Sequence, residues 1–96
     1  MSMNKLSEDS IKIKLAELTG WNLEKDSIQK EYVLKNFSDA LAFILKIGIE
    51  AEKIDHHPDL LLYGWNKVKI TLSTHSAGGL TENDFKLANQ IEKINL

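Results

Sequence analysis

The chain has three histidines, and all of them fall between positions 56 and 75: His56, His57 and His75. Imidazole changes charge near neutral pH, so it can give and take protons where most enzymes work. The first two rings sit beside Glu52, Asp55 and Pro58, and the two carboxylates are placed to orient a ring or hold a ligand amide. In strict strand alternation His75 shares a side with Thr71 and Ser73, opposite Val68, Ile70 and Leu72. That is the polar side of a strand, so His75 is not a core filler. If the strands on either side of residue 66 form a hairpin, the loop before one and the end of the other lie at the same sheet edge. The three imidazoles can then converge.

Three chemistries compete for that cluster. In the first, HHP is a solvated loop and His75 a surface residue. The second is a zinc site. Adjacent histidines project in different directions, however, the i, i+4 spacing of helical zinc motifs is missing, and there is no cysteine. The third is general acid–base catalysis. The neighbours also have plain structural roles: Glu52 and Asp55 as the polar end of a helix, Asp84 as a helix cap, Pro58 as an element boundary, Trp21 and Trp65 as packing.

The elements that must position these residues fit one domain over 1–96. Ninety-six residues, 43% of them hydrophobic and 27% charged, suffice for a single folded core and not for two. A helix is predicted from Ser7 to Leu18, with Ile11, Leu15 and Leu18 on one face and Gly20 as its stop. A short strand through Trp21 and Leu23 turns at Lys25–Ser27 into a second strand that places Ile28, Tyr32 and Leu34 on one side. Ser38 is the expected N-cap of the longest helix, Asp39 to Lys53. That helix carries one apolar stripe at Leu41, Ile44, Leu45 and Ile49 and another at Phe43, Ile47, Ala51 and Ile54, so it is expected to be covered on two sides. Strands follow over Leu60–Trp65 and Val68–Thr74, with a turn at Asn66-Lys67 and a flexible connection at Ser76–Gly79. Thr81 and Asp84 form a capping-box pattern ahead of a last helix with Phe85, Ala88 and Ile91 on one face. The class is α+β, in the order α-β-β-α-β-β-α: a four-stranded antiparallel sheet with helices packed on one face.

Composition excludes several functions. All twelve basic residues are lysine and the net charge is −2. Without arginine or a basic run, nucleic acid is a poor direct partner. The absence of cysteine removes disulfides and thiolate chemistry. The longest apolar stretch, LAFILKIGI, is short and broken by Lys46, so no membrane span is expected. MSMNKLSEDS lacks the apolar core of a secretory signal, which leaves a cytoplasmic domain as the expectation.

The segment AEKIDHHPDLLLYGWNKVKITLSTHSAGGLTENDF closely resembles the pterin-4a-carbinolamine dehydratase family. The shared features are Glu52-Lys53, Asp55-His56-His57-Pro58, the aromatic Trp65, Asn66-Lys67-Val68, Ile70 to His75, and Asp84. Gly20-Trp21 and the phenylalanine-containing long helix are similar as well. Two departures touch the rim of the pocket the family would form there: Trp65 stands where tyrosine is common, and one extra residue precedes it. The resemblance implies dehydration of a 4a-hydroxytetrahydropterin to quinonoid dihydropterin, with no metal and no cofactor. It implies His56 and His75 as acid–base groups and His57 as mainly substrate-binding. Glu52, Asp55, Ser73, Thr74 and Asp84 would surround the pterin. It also implies pterin recycling after aromatic hydroxylation, and a homodimer or homotetramer, which the wide apolar face of the long helix suggests independently. Two other readings stand beside it: a non-catalytic interaction protein on the same fold, or action on another pterin such as a molybdenum-cofactor precursor.

Overall fold

The computed structural model describes residues 4–96; the first three residues of the stretch read above for a secretory signal lie outside it. Helix α1 (Glu8–Ala16) starts on the Ser7 side chain, which accepts from the Ser10 amide. It has no fully buried residue, but Ile11 and Leu15 on its inner side, with Leu18 just past its end, pack against the core. The chain reverses at Gly20, whose φ of 84° lies in the left-handed region that glycine enters without steric cost.

Strands β1 (Asn22–Glu24) and β2 (Ser27–Val33) form the first hairpin, and β3 (Asp59–Tyr63) and β4 (Lys67–Leu72) the second. The sheet order is β1-β2-β4-β3, antiparallel throughout. Alternation along β4 sends Val68, Ile70 and Leu72 into the core with Ile28 from β2. The two long helices, α2 (Phe37–Lys53) and α3 (Glu82–Glu92), cover that face with Phe43, Ile47 and Ala51 from one and Phe85, Leu87, Ala88 and Ile91 from the other. Among the described residues, no helix lies against the other face of the sheet. No helix is long and apolar enough to cross a membrane among the described residues.

Several boundaries differ from the sequence reading. Asn36, not Ser38, caps α2: its Oδ1 accepts from the Asp39 amide at 2.8 Å, while the Ser38 hydroxyl donates to that same oxygen. Strand β3 ends at Tyr63 because Gly64 and Trp65 both have positive φ, which moves the turn to 64–66. Strand β4 ends at Leu72. The connection read as flexible is a 3-10 turn over His75–Ala77, closed by paired backbone bonds between Thr74 and Gly79. Only one of the two stripes on α2 is buried; Leu41, Leu45 and Ile49 are exposed, because no other described element covers that side.

Candidate active site

The C-terminus of α2 decides where two of the histidines go. After Lys53 the chain turns tightly, with Asp55 at φ 49°, and the His56 amide bonds back to the Ala51 carbonyl. His56 then points inward and His57 outward, as neighbours in extended chain must.

His56 is 9% exposed, and its Nε2 lies 2.6 Å from Oδ1 of Asp84, a carboxylate with no exposure at all. Ionised carboxylate only accepts, so Nε2 carries the proton and donates. The other oxygen of Asp84 accepts from the Thr74 hydroxyl at 2.8 Å and the Thr81 amide at 2.9 Å. Thr74 and Thr81 are themselves joined at 2.8 Å between hydroxyls. The expected capping role of Asp84 at the start of α3 is therefore present, and the same carboxylate also fixes the tautomer of His56, leaving Nδ1 as that ring's acceptor.

His57 and His75 meet elsewhere. Both line a cleft of about 360 Å³ at the open face of the sheet, together with Asp59, Thr71, Ser73 and the β1–β2 turn. That volume is within the range of small-molecule sites. Hairpin register explains the meeting: Asp59 pairs with Thr71, so the loop before β3 and the chain leaving β4 share one sheet edge. The Ser73 hydroxyl donates to the Asp26 carbonyl at 2.7 Å and ties the β1–β2 turn over the cleft. His57 Nε2 lies 2.7 Å from Oε1 of Glu52, in an exposed pair at the cleft mouth.

The three rings do not all converge. Two face the cleft and His56 stands behind its wall, because the turn at Asp55 sends consecutive side chains to opposite sides. Glu52 reaches the site only through His57, and Asp55 lies exposed in the turn without lining the cleft. Ser73 lines it, whereas the Thr74 and Asp84 side chains are buried and committed to each other. Trp65 is in the β3–β4 turn, at the opposite end of β3 from His57. The sequence does not mark Thr81, Lys25, Asp26 and Gln29 as site residues: Thr81 reads only as a helix cap and Lys25–Ser27 only as a turn, and Gln29 is visible only as the polar neighbour of Ile28 in an alternating strand. Among the described residues no three histidine, cysteine, aspartate or glutamate side chains are grouped to hold a metal ion.

Comparison with known proteins gives a consistent picture. The family model for pterin 4 alpha carbinolamine dehydratase matches residues 4–94. A Sulfolobus acidocaldarius protein, provisionally named as that dehydratase, is 48% identical over 90 residues, covering 94% of this chain and 98% of its own. One from Aquifex aeolicus, named in the same way, is 45% identical over 92 residues, covering 96% and 92%. The crystal structure of a transcriptional coactivator/pterin dehydratase from Brucella melitensis superimposes with a TM-score of 0.87 at 36% identity, covering 93% of this chain and 96% of that one. A pterin dehydratase-like protein identified as a RuBisCO assembly factor in the alpha-carboxysome shares the fold, with a TM-score of 0.59 at 19% identity over 75% of this chain and 82% of that one.

Proposed function

The chain belongs to the pterin 4 alpha carbinolamine dehydratase family and is a hydro-lyase, and from that premise we propose that it removes water from a 4a-hydroxytetrahydropterin by histidine acid–base catalysis. Hydroxide is a poor leaving group, so the 4a-hydroxyl must gain a proton as its C–O bond breaks. A ring nitrogen must lose one as the C=N bond forms. Water and the quinonoid dihydropterin result, and the protons balance without any redox step.

The observation that carries this reading is the buried His56–Asp84 pair behind a cleft that holds His75. A carboxylate that fixes an imidazole's tautomer prepares its second nitrogen for proton transfer. In this reading His75, in the cleft, protonates the departing hydroxyl, and the ring-nitrogen proton reaches Nδ1 of His56, behind the cleft wall, through one bridging water. His57, held by Glu52 at the mouth, binds the pterin. Thr74 and Asp84 act as positioning residues rather than substrate contacts. The physiological setting proposed is tetrahydropterin recycling, which rests on family membership alone.

Removing a general acid or base costs roughly 10² to 10⁴ in rate, while removing a binding contact chiefly raises KM. His56→Ala and His75→Ala are each expected to lower kcat on that scale, and His57→Ala to raise KM. The assay belongs at a pH where uncatalysed dehydration is slow. If His57→Ala lost kcat while His56→Ala kept it, the transfers would belong to the two rings that line the cleft. If all three kept wild-type constants, acid–base catalysis by histidine would be wrong.

The exposed stripe on α2, extended by Phe37, supports assembly into a homodimer or a homotetramer. The same stripe is available to a different protein partner, and the similar Brucella protein is described as both a transcriptional coactivator and a pterin dehydratase.

A further inference from the structure

The catalytic cleft continues beyond the histidines. Glu24 and Gln29 line it and also line a second trough of about 670 Å³, which runs over the open face of the sheet to Leu61, Tyr63, Glu31 and Lys69. Register sets the side chains of that face in rows. Asp59, Thr71 and Gln29 stand abreast on β3, β4 and β2. Leu61, Lys69 and Glu31 form the next row, and Tyr63, Lys67 and Val33 the one after. Successive rows are two residues apart, roughly 7 Å. The trough therefore leads away from the histidines lengthwise along the strands.

Its two ends differ in chemistry. Glu24 and Asp59 lie at the cleft end, and Lys67 and Lys69 at the far end with Glu31. A solvated sheet face gains by pairing opposite charges across strands, and Lys69 stands opposite Glu31 in the register. Glu31 instead accepts from the Tyr63 hydroxyl, and Lys69 makes no ion pair among the described residues. A half-buried ammonium is thus left at the trough wall without a counter-charge. Beside it Leu61 and Tyr63, 54% and 40% exposed, offer apolar and aromatic surface. The Lys67 ammonium sits 5.8 Å from the centre of the Tyr63 ring, so a second cation flanks the same end.

We infer that this trough receives the substituent at C6 of the pterin and selects one longer than three carbons, a flat aryl group followed by a carboxylate. The aryl group lies along Leu61 and Tyr63, and Lys69 takes the carboxylate. A three-carbon side chain ends near the Thr71–Gln29 row, and a carboxylate held there would meet Asp59 and Glu24. A longer side chain carries its charge past them to the lysines. Apolar walls with one placed charge at the end are the usual means by which a small-molecule site chooses among ligands that share a head group. This assignment rests on the pterin-dehydratase reading above and adds a specificity residue, Lys69, to it.

Binding is the readout, since it needs no turnover. Calorimetry gives Kd for three 7,8-dihydropterins that differ at C6: the 6-methyl compound, dihydrobiopterin with its three-carbon side chain, and dihydrofolate with its aryl amide and carboxylates. Dihydrofolate is expected to bind about tenfold tighter than the methyl compound, from one partly exposed ion pair and the apolar area its ring covers. Lys69→Ala should cut that ratio about three- to fivefold, Lys69→Arg should preserve it, and added salt should erode it. Equal Kd for all three ligands in the wild-type protein would refute the trough as a side-chain site. So would a preference for dihydrofolate that survives intact in Lys69→Ala. Tighter binding of dihydroneopterin triphosphate than of dihydrofolate would refute the aryl acid as the selected group. If the methyl compound itself failed to bind, the pterin reading would fall, and the trough assignment with it.

Discussion

At the scale of single residues, a neutral imidazole donates from one nitrogen and accepts at the other, and for His56 the choice is made by Asp84. Asp84→Asn keeps the shape but can turn its amide N–H toward Nε2, which favours the other tautomer. We expect kcat to fall by about 10² or more with KM little changed, and the imidazole ¹⁵N shifts to report the switch. Unaltered kcat would remove Asp84 from the mechanism. Asp84→Ala is the harsher change. It leaves His56, the Thr74 hydroxyl and the Thr81 amide without their acceptor, at a cost of about 3–5 kcal/mol in urea unfolding. Acid–base work by histidine requires no metal, so protein treated with a strong chelator should keep its activity; a loss that zinc restores would overturn the mechanism. The meeting of His57 with His75 was legible in the sequence, from strand alternation and one hairpin. The inward turn of His56 was not, because it depends on the left-handed backbone at Asp55, which no periodicity records.

Between elements, the last turn of α3 is fastened to β2 by a second polar cluster. Glu92 accepts from Lys30 at 2.7 Å and from the Tyr32 hydroxyl, and Lys30 also donates to the Thr19 carbonyl at 2.8 Å. Burial alone would raise the Glu92 carboxyl, but hydrogen bonds from Lys30 and Tyr32, with the lysine's charge, outweigh it and hold the group below its ordinary value of 4.5. Trp21 Nε1, buried without a full hydrogen bond, adds a weaker pull. Burial, then the bond to Glu92, pushes the Tyr32 hydroxyl far up, so it stays protonated. A depressed carboxyl stabilises the fold above its unfolded value and loses that contribution as pH falls toward the folded one. Glu92→Gln should therefore be less stable than wild type by about 1–2 kcal/mol at pH 7, with the gap closing below pH 4.5. A gap of equal size in acid would show that the charge contributes nothing. Element order and type were readable because each helix and strand keeps its own period. The exact ends were not: the N-cap fell to Asn36 rather than Ser38, and the β3–β4 turn to residues 64–66.

For the whole molecule, the apolar pattern of α2 announced two stripes but not which of them the core would take. Phe43 and Ile47 went in because the sheet offers them Ile28, Val68 and Ile70. Leu41, Leu45 and Ile49 kept roughly half or more of their surface in solvent. Burying that stripe between copies should make thermal stability depend on concentration, since association stabilises only the folded state. We expect Tm to rise across a hundredfold dilution series read from low to high protein, and Leu45→Glu to abolish the rise without unfolding the monomer. A Tm independent of concentration in wild type, with a monomer in sedimentation, would leave the stripe to a different partner.

The double duty of Asp84 bears on how related genes are read. The carboxylate that holds His56 also accepts the Thr81 amide at the start of α3. A lineage that abandoned the chemistry would still need it to begin that helix. Its persistence in a distant genome therefore testifies to ancestry and folding and says little about turnover. His57 and His75, exposed in the cleft with no comparable duty inside the core, are free to drift once selection for dehydration ends. They, more than the aspartate, are the letters to check before an activity is transferred from one genome to another.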